Sequence, residues 1–345
     1  MRATKDKYKR HQYQRQLRQL KSLKRRKAWL KAKRKYFQGK SASQREFYET
    51  KRQATPVDAP SVFSIKQNPN KVFQFIALLK SFRLKKQVKA VFISLKDCTY
   101  ISNGAVALMI SVIKELKSFN IKVSGSYPDD KPTRAILEKS GFFDFVIGNV
   151  SEENRVTPNT ILQQGTDVVD SEIITPLVLK SMKFLYGKPY RNQRIQSLLI
   201  ELMANTVNHA FAVNKTSKWY LSISPDEENK KVMFTFIDNG QGISNTLNLK
   251  FFDKIASLFL GSNGQILQAA FDGKFGSRTK ERKRGRGLPS IKKCFTENFI
   301  SNLVVITNNV FLDFKSNETQ LLDYNFDGTC YYWELDLNCV QWNIL

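Results

Sequence analysis

The chain has 345 residues, with 56 Lys/Arg against 30 Asp/Glu and a formal net charge of +26. Its length and a hydrophobic fraction of 41% suggest two packed domains plus an appendage. No run approaches the roughly 18 apolar residues of a membrane span, the four cysteines show no C-x-x-C, and the basic start lacks the apolar stretch of a secretory signal; together these point away from membrane, zinc and disulfide classes and towards a reducing cytoplasm.

Residues 1–53 read as a basic arm. Residues 1–40 hold 17 Lys/Arg and one acid, Asp6, for a net +16. Tyr13, Leu17, Leu20, Leu23 and Leu30 form a thin apolar stripe that predicts a helix. Lys24, Arg25, Arg26, Lys27, Lys33, Arg34 and Lys35, interleaved with Trp29, Tyr36 and Phe37, suit phosphate contact and base stacking. The same composition suits an anionic membrane or a solubilising tail.

Ala54–Pro60 carries two prolines and reads as a linker. The following pattern predicts a strand over 61–65, a helix over 72–82, a strand over 88–95 and a helix over 103–119. A strand over 121–126, a helix over 132–140 and a strand over 143–147 follow. This alternation predicts an α/β layer over 61–148. The passage Ile101-Ser102-Asn103-Gly104 ahead of an apolar helix, with Ile136 to Phe143 at the later helix-to-strand junction, resembles a STAS domain. Regulatory STAS members carry Asp-Ser-Ser-Gly there, with a phosphorylated Ser. Here the Asp is missing, and Ser102 reads as a helix N-cap. The resemblance leaves recognition of a protein partner open.

Residues 148–170, rich in Asp/Glu, Asn and Gln, read as an interdomain linker. A helix over 174–187 and a second over 193–211 follow. On the second, Ile195, Leu198, Leu199, Leu202 and Met203 mark the apolar face. Glu201, Asn205 and either Asn208 or His209 share the other, because positions four apart stack. Lys231–Ile237 predicts a strand ending at Asp238-Asn239-Gly240-Gln241-Gly242. Two short helices, over 247–260 and 265–271, precede a basic loop over 275–284. Gly285-Arg286-Gly287-Leu288 then leads into a helix whose Pro289 suits a first turn, and free N–H groups there can receive an anion. Gly328-Thr329 precedes a strand over 330–335. Each motif alone also fits a bland role: a polar helix face, a hairpin turn, a solvated loop.

In this order the segments around Glu201 and Asn205, Asp238 and Gly240, and Gly285 and Gly287 resemble the N, G1 and G2 boxes of the GHKL ATP-binding fold, over residues 170–337. That fold serves gyrase, heat-shock chaperone, histidine kinase and mismatch-repair ATPases. The resemblance implies a two-layer α/β sandwich that binds ATP with Mg²⁺. It makes Asn205 the metal ligand, Glu201 the general base, Asp238 the acceptor of the adenine amino group and Thr329 its neighbour. Gly240, Gly242, Gly285, Arg286, Gly287 and Leu288 are placed around the nucleotide, and the basic loop becomes a lid. A homodimer is also compatible. With only His11 and His209, and neither on a dimerisation helix, a self-phosphorylating histidine kinase is disfavoured. Two expectations remain: an ATP-gated switch with slow hydrolysis, acting on nucleic acid through residues 1–40 or on a protein, and a serine/threonine kinase of the anti-sigma-factor type. The architecture suits bacterial regulation or antiphage defence.

Overall fold

The computed structural model describes residues 21–22, 24–28, 31, 53–146, 161–165, 169, 171–209, 218–246, 263–274 and 287–339. The chain separates into two compact units, Met1–Gln53 and Ala54–Leu345. In the first, the described residues, Lys24, Arg25, Arg26 and Lys27 among them, are helical and exposed. Lys33, Arg34 and Lys35 lie outside the described residues.

The second unit is mixed α/β. Its strands are β1 (Thr55–Asp58), β2 (Val62–Phe63), β3 (Ala90–Ser94), β4 (Tyr100–Ile101), β5 (Lys122–Gly125), β6 (Ile161–Gly165), β7 (Trp219–Asp226), β8 (Lys231–Asp238), β9 (Ser301–Asp313) and β10 (Glu318–Asp336). Its helices are α1 (Pro69–Ser81), α2 (Asn103–Ser118), α3 (Lys131–Lys139), α4 (Phe142–Val146), α5 (Ser171–Tyr186), α6 (Gln193–His209), α7 (Ile243–Thr246), α8 (Asn263–Phe271) and α9 (Gly287–Thr296). A parallel sheet runs β1-β3-β5, a two-stranded parallel pair joins β2 and β4, and a five-stranded sheet runs β6-β7-β8-β10-β9 with antiparallel pairing throughout. No helix among the described residues is long and apolar enough to cross a membrane. All four cysteines are free and buried.

Three sequence expectations are corrected. Ala54–Pro60 is not only a linker: Thr55–Asp58 forms β1, and Pro56 is tolerated because β1 is an edge strand that pairs only with β3. Residues 143–146 are not a strand, and residue 147 lies outside the described residues. Short apolar runs do not distinguish strand from helix, and here Phe142–Val146 turns into α4, with Phe142 buried and edge-on to Phe143 at 5.2 Å. Residues 148–170 do not form a linker throughout, since Ile161–Gly165 pairs with β7 as an edge strand. Gly165 is required there because a Cβ would fall 2.0 Å from the Trp219 ring.

The five-stranded sheet is apolar on both faces. Along β8, Val232, Phe234 and Phe236 join one core with Leu199, Leu202 and Met203 of α6 and Val178 and Met182 of α5. Ile237 of β8, with Tyr220, Val304, Cys330 and Tyr332 from the other strands, joins a second core with α1 and α2. Ring stacking of Phe234 on Trp333 at 5.1 Å and of Trp219 on Phe236 at 5.8 Å ties neighbouring strands together on the first face. On the second face α2 presses close: a Cβ on Gly104 would lie 2.4 Å from the Thr235 hydroxyl. Ser102 caps this helix, its Oγ accepting from the Ala105 N–H at 3.3 Å.

Two buried charges also join the halves of the unit. Lys80 of α1 is 4% exposed, donates to the Asp327 carbonyl at 2.5 Å and lies 3.3 Å from Glu115 of α2. Arg83 bridges Glu115 and Asp327. On β10, Glu334 is 3% exposed and accepts from the Tyr332 hydroxyl, Asn302 at 2.7 Å, and Lys66 and Lys231 at 3.3 Å each. Burial pushes the Glu334 carboxyl up, but these donors and cations outweigh it and hold it below its ordinary value. Removing one partner of such a network leaves the others buried and unpaired. Glu334→Ala is expected to lower the unfolding free energy by roughly 3 kcal/mol, read from denaturant titration. Because the folded-state value is depressed, the contribution is present above the unfolded value of 4.5 and is lost as pH falls through the folded one. The difference between wild type and Glu334→Gln should therefore shrink with acid; a pH-independent gap would contradict the network.

Candidate functional site

The site grows from two clusters beside the first face of the large sheet. Residues alternate across a strand, so Asp238 continues the row of Val232, Phe234 and Phe236 on the face covered by α6. The register sets Asp238 opposite Trp219 on one side and Thr329 on the other, and Thr329 opposite Thr307. Asp238 is 5% exposed. Its Oδ1 accepts from the Gly240 N–H at 2.9 Å. Burial raises the carboxyl to about 6, opposed by hydrogen bonds from Gly240 and Thr329 and by the charge of Lys80.

The segment after Asp238 does not make a hairpin, since the strands beside β8 are β7 and β10. It leads through Gly240 and Gly242 into α7. Gly242 has φ of +81°, and a Cβ there would sit 2.6 Å from Asn308 Oδ1. The first N–H groups of α7 are received by side chains of β9: Ile243 N–H by Thr307 Oγ1 at 2.8 Å and Ser244 N–H by Asn308 Oδ1 at 3.2 Å. Asn308 Nδ2 donates in turn to the Gln241 carbonyl at 3.2 Å. Thr307 and Asn308 belong to the site and are not among the residues that the sequence motifs mark. A signal is present in the chain: an abrupt Thr-Asn-Asn after the apolar run Leu303–Ile306.

Thr329 is 4% exposed and lies inside β10 rather than ahead of it, with the register shifting between Phe326 and Thr329. Gly328 has φ of +140°, and a Cβ there would collide with the Asp238 carbonyl at 2.2 Å. The Thr307 hydroxyl donates to the Gly328 carbonyl at 3.1 Å.

The second cluster is built on α6. Ile195, Leu198, Leu199, Leu202 and Met203 are buried on its sheet-facing side, as the spacing predicts. Glu201 and Asn205 are half-buried on another face. Burial raises the Glu201 carboxyl. Asn205 Nδ2 is buried without a hydrogen-bond partner among the described residues. Gly287, the first residue of α9, packs directly on this pair: a Cβ would lie 2.2 Å from Glu201 Oε1 and 2.9 Å from Asn205 Oδ1. Leu288 is half-buried against the core behind it. Tyr331, buried on the same face, is pushed well above its ordinary value by burial first and then by the charges of Asp238 and Glu201.

The fold thus brings Glu201, Asn205 and Gly287 together, and Asp238, Gly240, Gly242 and Thr329 together. Gly285, Arg286 and the loop 275–284 lie outside the described residues, as do the segment 247–260 and the side chains of Asn208 and His209. No group of three or more His, Cys, Asp or Glu able to hold a metal alone occurs among the described residues. No family model matches the chain, and no curated protein matches it.

Gly328 is the most demanding contact of this site, since a methyl there would meet backbone, while at Gly287 it would meet the ends of two polar side chains held on one helix. Gly287→Ala is expected to lower stability by about 1–3 kcal/mol, the scale of overpacking. Gly187 has open space around it despite its φ of +76°, so Gly187→Ala reports backbone strain alone. A melting temperature for Gly287→Ala equal to that of wild type would show that Gly287 does not press on Glu201 and Asn205.

Proposed function

We propose that this chain is a Mg²⁺-dependent ATP-binding protein of the GHKL type, with a STAS-like layer before it, and that it works as an ATP-gated switch with slow hydrolysis. The observation that carries this reading is the packing of Gly287 on Glu201 and Asn205, on the same side of the large sheet as the buried carboxyl of Asp238. Three segments far apart in the chain supply a carboxylate, an amide, a helix start and a buried acceptor to the same side of the large sheet.

The side chains fit such a ligand. Among the described residues the unpartnered atom of Asn205 is its amide nitrogen, a donor free to meet a ligand oxygen, and its amide oxygen is the kind of hard donor that Mg²⁺ takes beside phosphates and waters. When bound, Mg²⁺ neutralises charge on the phosphates. The N-terminal turn of α9 offers free N–H groups and the positive end of a helix dipole to an anion. Asp238 accepts a hydrogen bond from an exocyclic amine, with Thr329 beside it. Glu201, its carboxyl raised by burial, is a better proton acceptor than a solvated carboxylate, the direction a general base needs. The exposed Lys24, Arg25, Arg26 and Lys27 support a polyanionic partner for the arm. The three-stranded parallel sheet with α1 and α2 supports the STAS-like reading of the first half. The Ser102 hydroxyl caps α2, which supports the helix-cap role of this serine over a phosphorylation site.

Calorimetry should show ATP binding that strengthens with Mg²⁺. Asp238→Asn is expected to abolish it, while Asn205→Ala removes mainly the Mg²⁺ dependence. Wild-type affinity in Asp238→Asn would sink the adenine assignment. The pH dependence follows from the same group: the acceptor is the ionised form, so affinity should fall as pH drops through about 6. An affinity flat from pH 7.5 to 5 contradicts it.

Glu201→Gln should keep ATP binding and lower turnover by about 10²-fold or more, measured as phosphate release. Unchanged turnover in that variant moves the proton acceptor elsewhere, and transfer of phosphate to a protein would favour the kinase.

A further inference from the structure

One end of the small parallel sheet is crowded with cations. The turn between α1 and β3 carries Lys85, Lys86 and Lys89, all exposed. It is closed by the Val88 N–H donating to the Lys85 carbonyl at 3.0 Å, and the Lys122 N–H donates to the Lys89 carbonyl at 3.0 Å. That hydrogen bond sets the turn against the start of β5. The start of β5 is in turn joined to the end of α2, where the Ile121 N–H donates to the Leu116 carbonyl at 3.1 Å. The last turns of α2 carry Lys114 and Lys117. Lys117 Nζ donates to the Val146 carbonyl at 2.6 Å, and Lys114 Nζ stands over the Phe145 ring at 5.9 Å. The two lysines are close enough that, after burial, Lys114 lowers the Lys117 amine.

Among the described residues, Lys85, Lys86, Lys89, Lys114 and Lys117 have no acidic partner. The one carboxylate inside the cluster, Glu115, is engaged by Lys80 and Arg83. Asp144 on α4 is the other acid close in the fold, and it is exposed. Lysines at a helix C-terminus offset the negative end of its dipole, which accounts for Lys114 and Lys117. It does not account for Lys85, Lys86 and Lys89, which belong to a turn.

We infer that this lysine surface, formed by the 85–89 turn and the end of α2, is a nucleic-acid contact that binds the phosphate backbone without reading sequence. Like charges held together on ordered backbone repel one another, and a polyanion relieves that repulsion while releasing its own counterions. Compact lysine ammoniums suit phosphates as point charges. Phe119, 53% exposed at the end of α2, offers an aromatic face beside them. An anionic membrane is less well matched. The apolar side of α2, from Ala105 to Leu116, is buried in the core, so this helix has no apolar face left to insert. The surface belongs to the compact unit, is distinct from the arm, and does not depend on the nucleotide assignment.

The test uses the full chain and a labelled 20-base-pair duplex titrated at several salt concentrations. Lys85→Gln/Lys86→Gln/Lys89→Gln is the first variant and Lys114→Gln/Lys117→Gln the second. A third neutralises Lys24, Arg25, Arg26 and Lys27 in the arm. Each phosphate left without its lysine should flatten the slope of log K against log salt by about 1 and weaken binding evenly across sequences. The first variant is expected to show this in both the native-arm and neutralised-arm backgrounds, with melting temperature and ATP binding as in wild type. Unchanged slope and affinity in both lysine variants would overturn the proposal. So would a loss of binding to phosphatidylserine vesicles with duplex binding intact, which would assign the surface to a membrane.

Discussion

An antiparallel sheet commonly packs one face on a core and leaves the other to water. The five-stranded sheet of this chain cannot do so, because its central strands bury apolar side chains on both sides. Val232, Phe234, Phe236, Tyr331 and Trp333 point one way; Ile237, Cys330, Tyr332, Val304 and Ile306 point the other. Leaving either face exposed would put an apolar patch in water far larger than single proteins tolerate. The first half of the compact unit, with α1 and α2, is what covers the second face. Its small residues at the contact, Gly104 against Thr235 above all, let the helix approach the strands closely.

That arrangement has consequences for the candidate site on the opposite face. The peptide next to Gly328 is held by buried Lys80 through the Asp327 carbonyl. The residue after Asp238, Asn239, donates to the Ser111 carbonyl of α2 at 3.2 Å. Both strand segments that flank the buried carboxyl are therefore anchored from behind by helices of the first half. A carboxyl raised by burial needs such support, since the surrounding backbone must hold still for desolvation to persist. These contacts join the first-half layer to the large sheet, so a change on one face of that sheet has a direct path to the helices on the other.

Much of the fold is legible in the sequence because its periods are clean. The buried stripe of α6, the alternation of β8 and the cap at Ser102 can each be read from spacing and side-chain chemistry alone. The edge strand β1 is hidden by Pro56, which signals a linker unless one knows that its missing N–H faces no partner. The short helix α4 reads as a strand because four apolar residues around Asp144 carry no helical period, and packing against α2 decides. Strand β6 sits in a polar stretch whose pairing only β7 specifies. At the site, Glu201, Asn205, Asp238 and Thr329 stand out by type and position. Thr307 and Asn308 do not, since a hydroxyl and an amide that receive the N–H groups of α7 become meaningful only when β9 lies beside that turn. The need for glycine at 287 is likewise invisible until α9 meets α6.

The central claim is that α6, the end of β8 and the start of α9 form one ligand site on a sheet braced from its far side. Hydrogen exchange read by mass spectrometry, with and without Mg²⁺ and ATP, tests it most directly. The account predicts slowed exchange in 198–207, 238–244 and 287–291 together on adding nucleotide, with the α2 backbone near Ser111 slowed to a lesser degree. No change in those three segments, or protection confined to the first half of the unit, would contradict it.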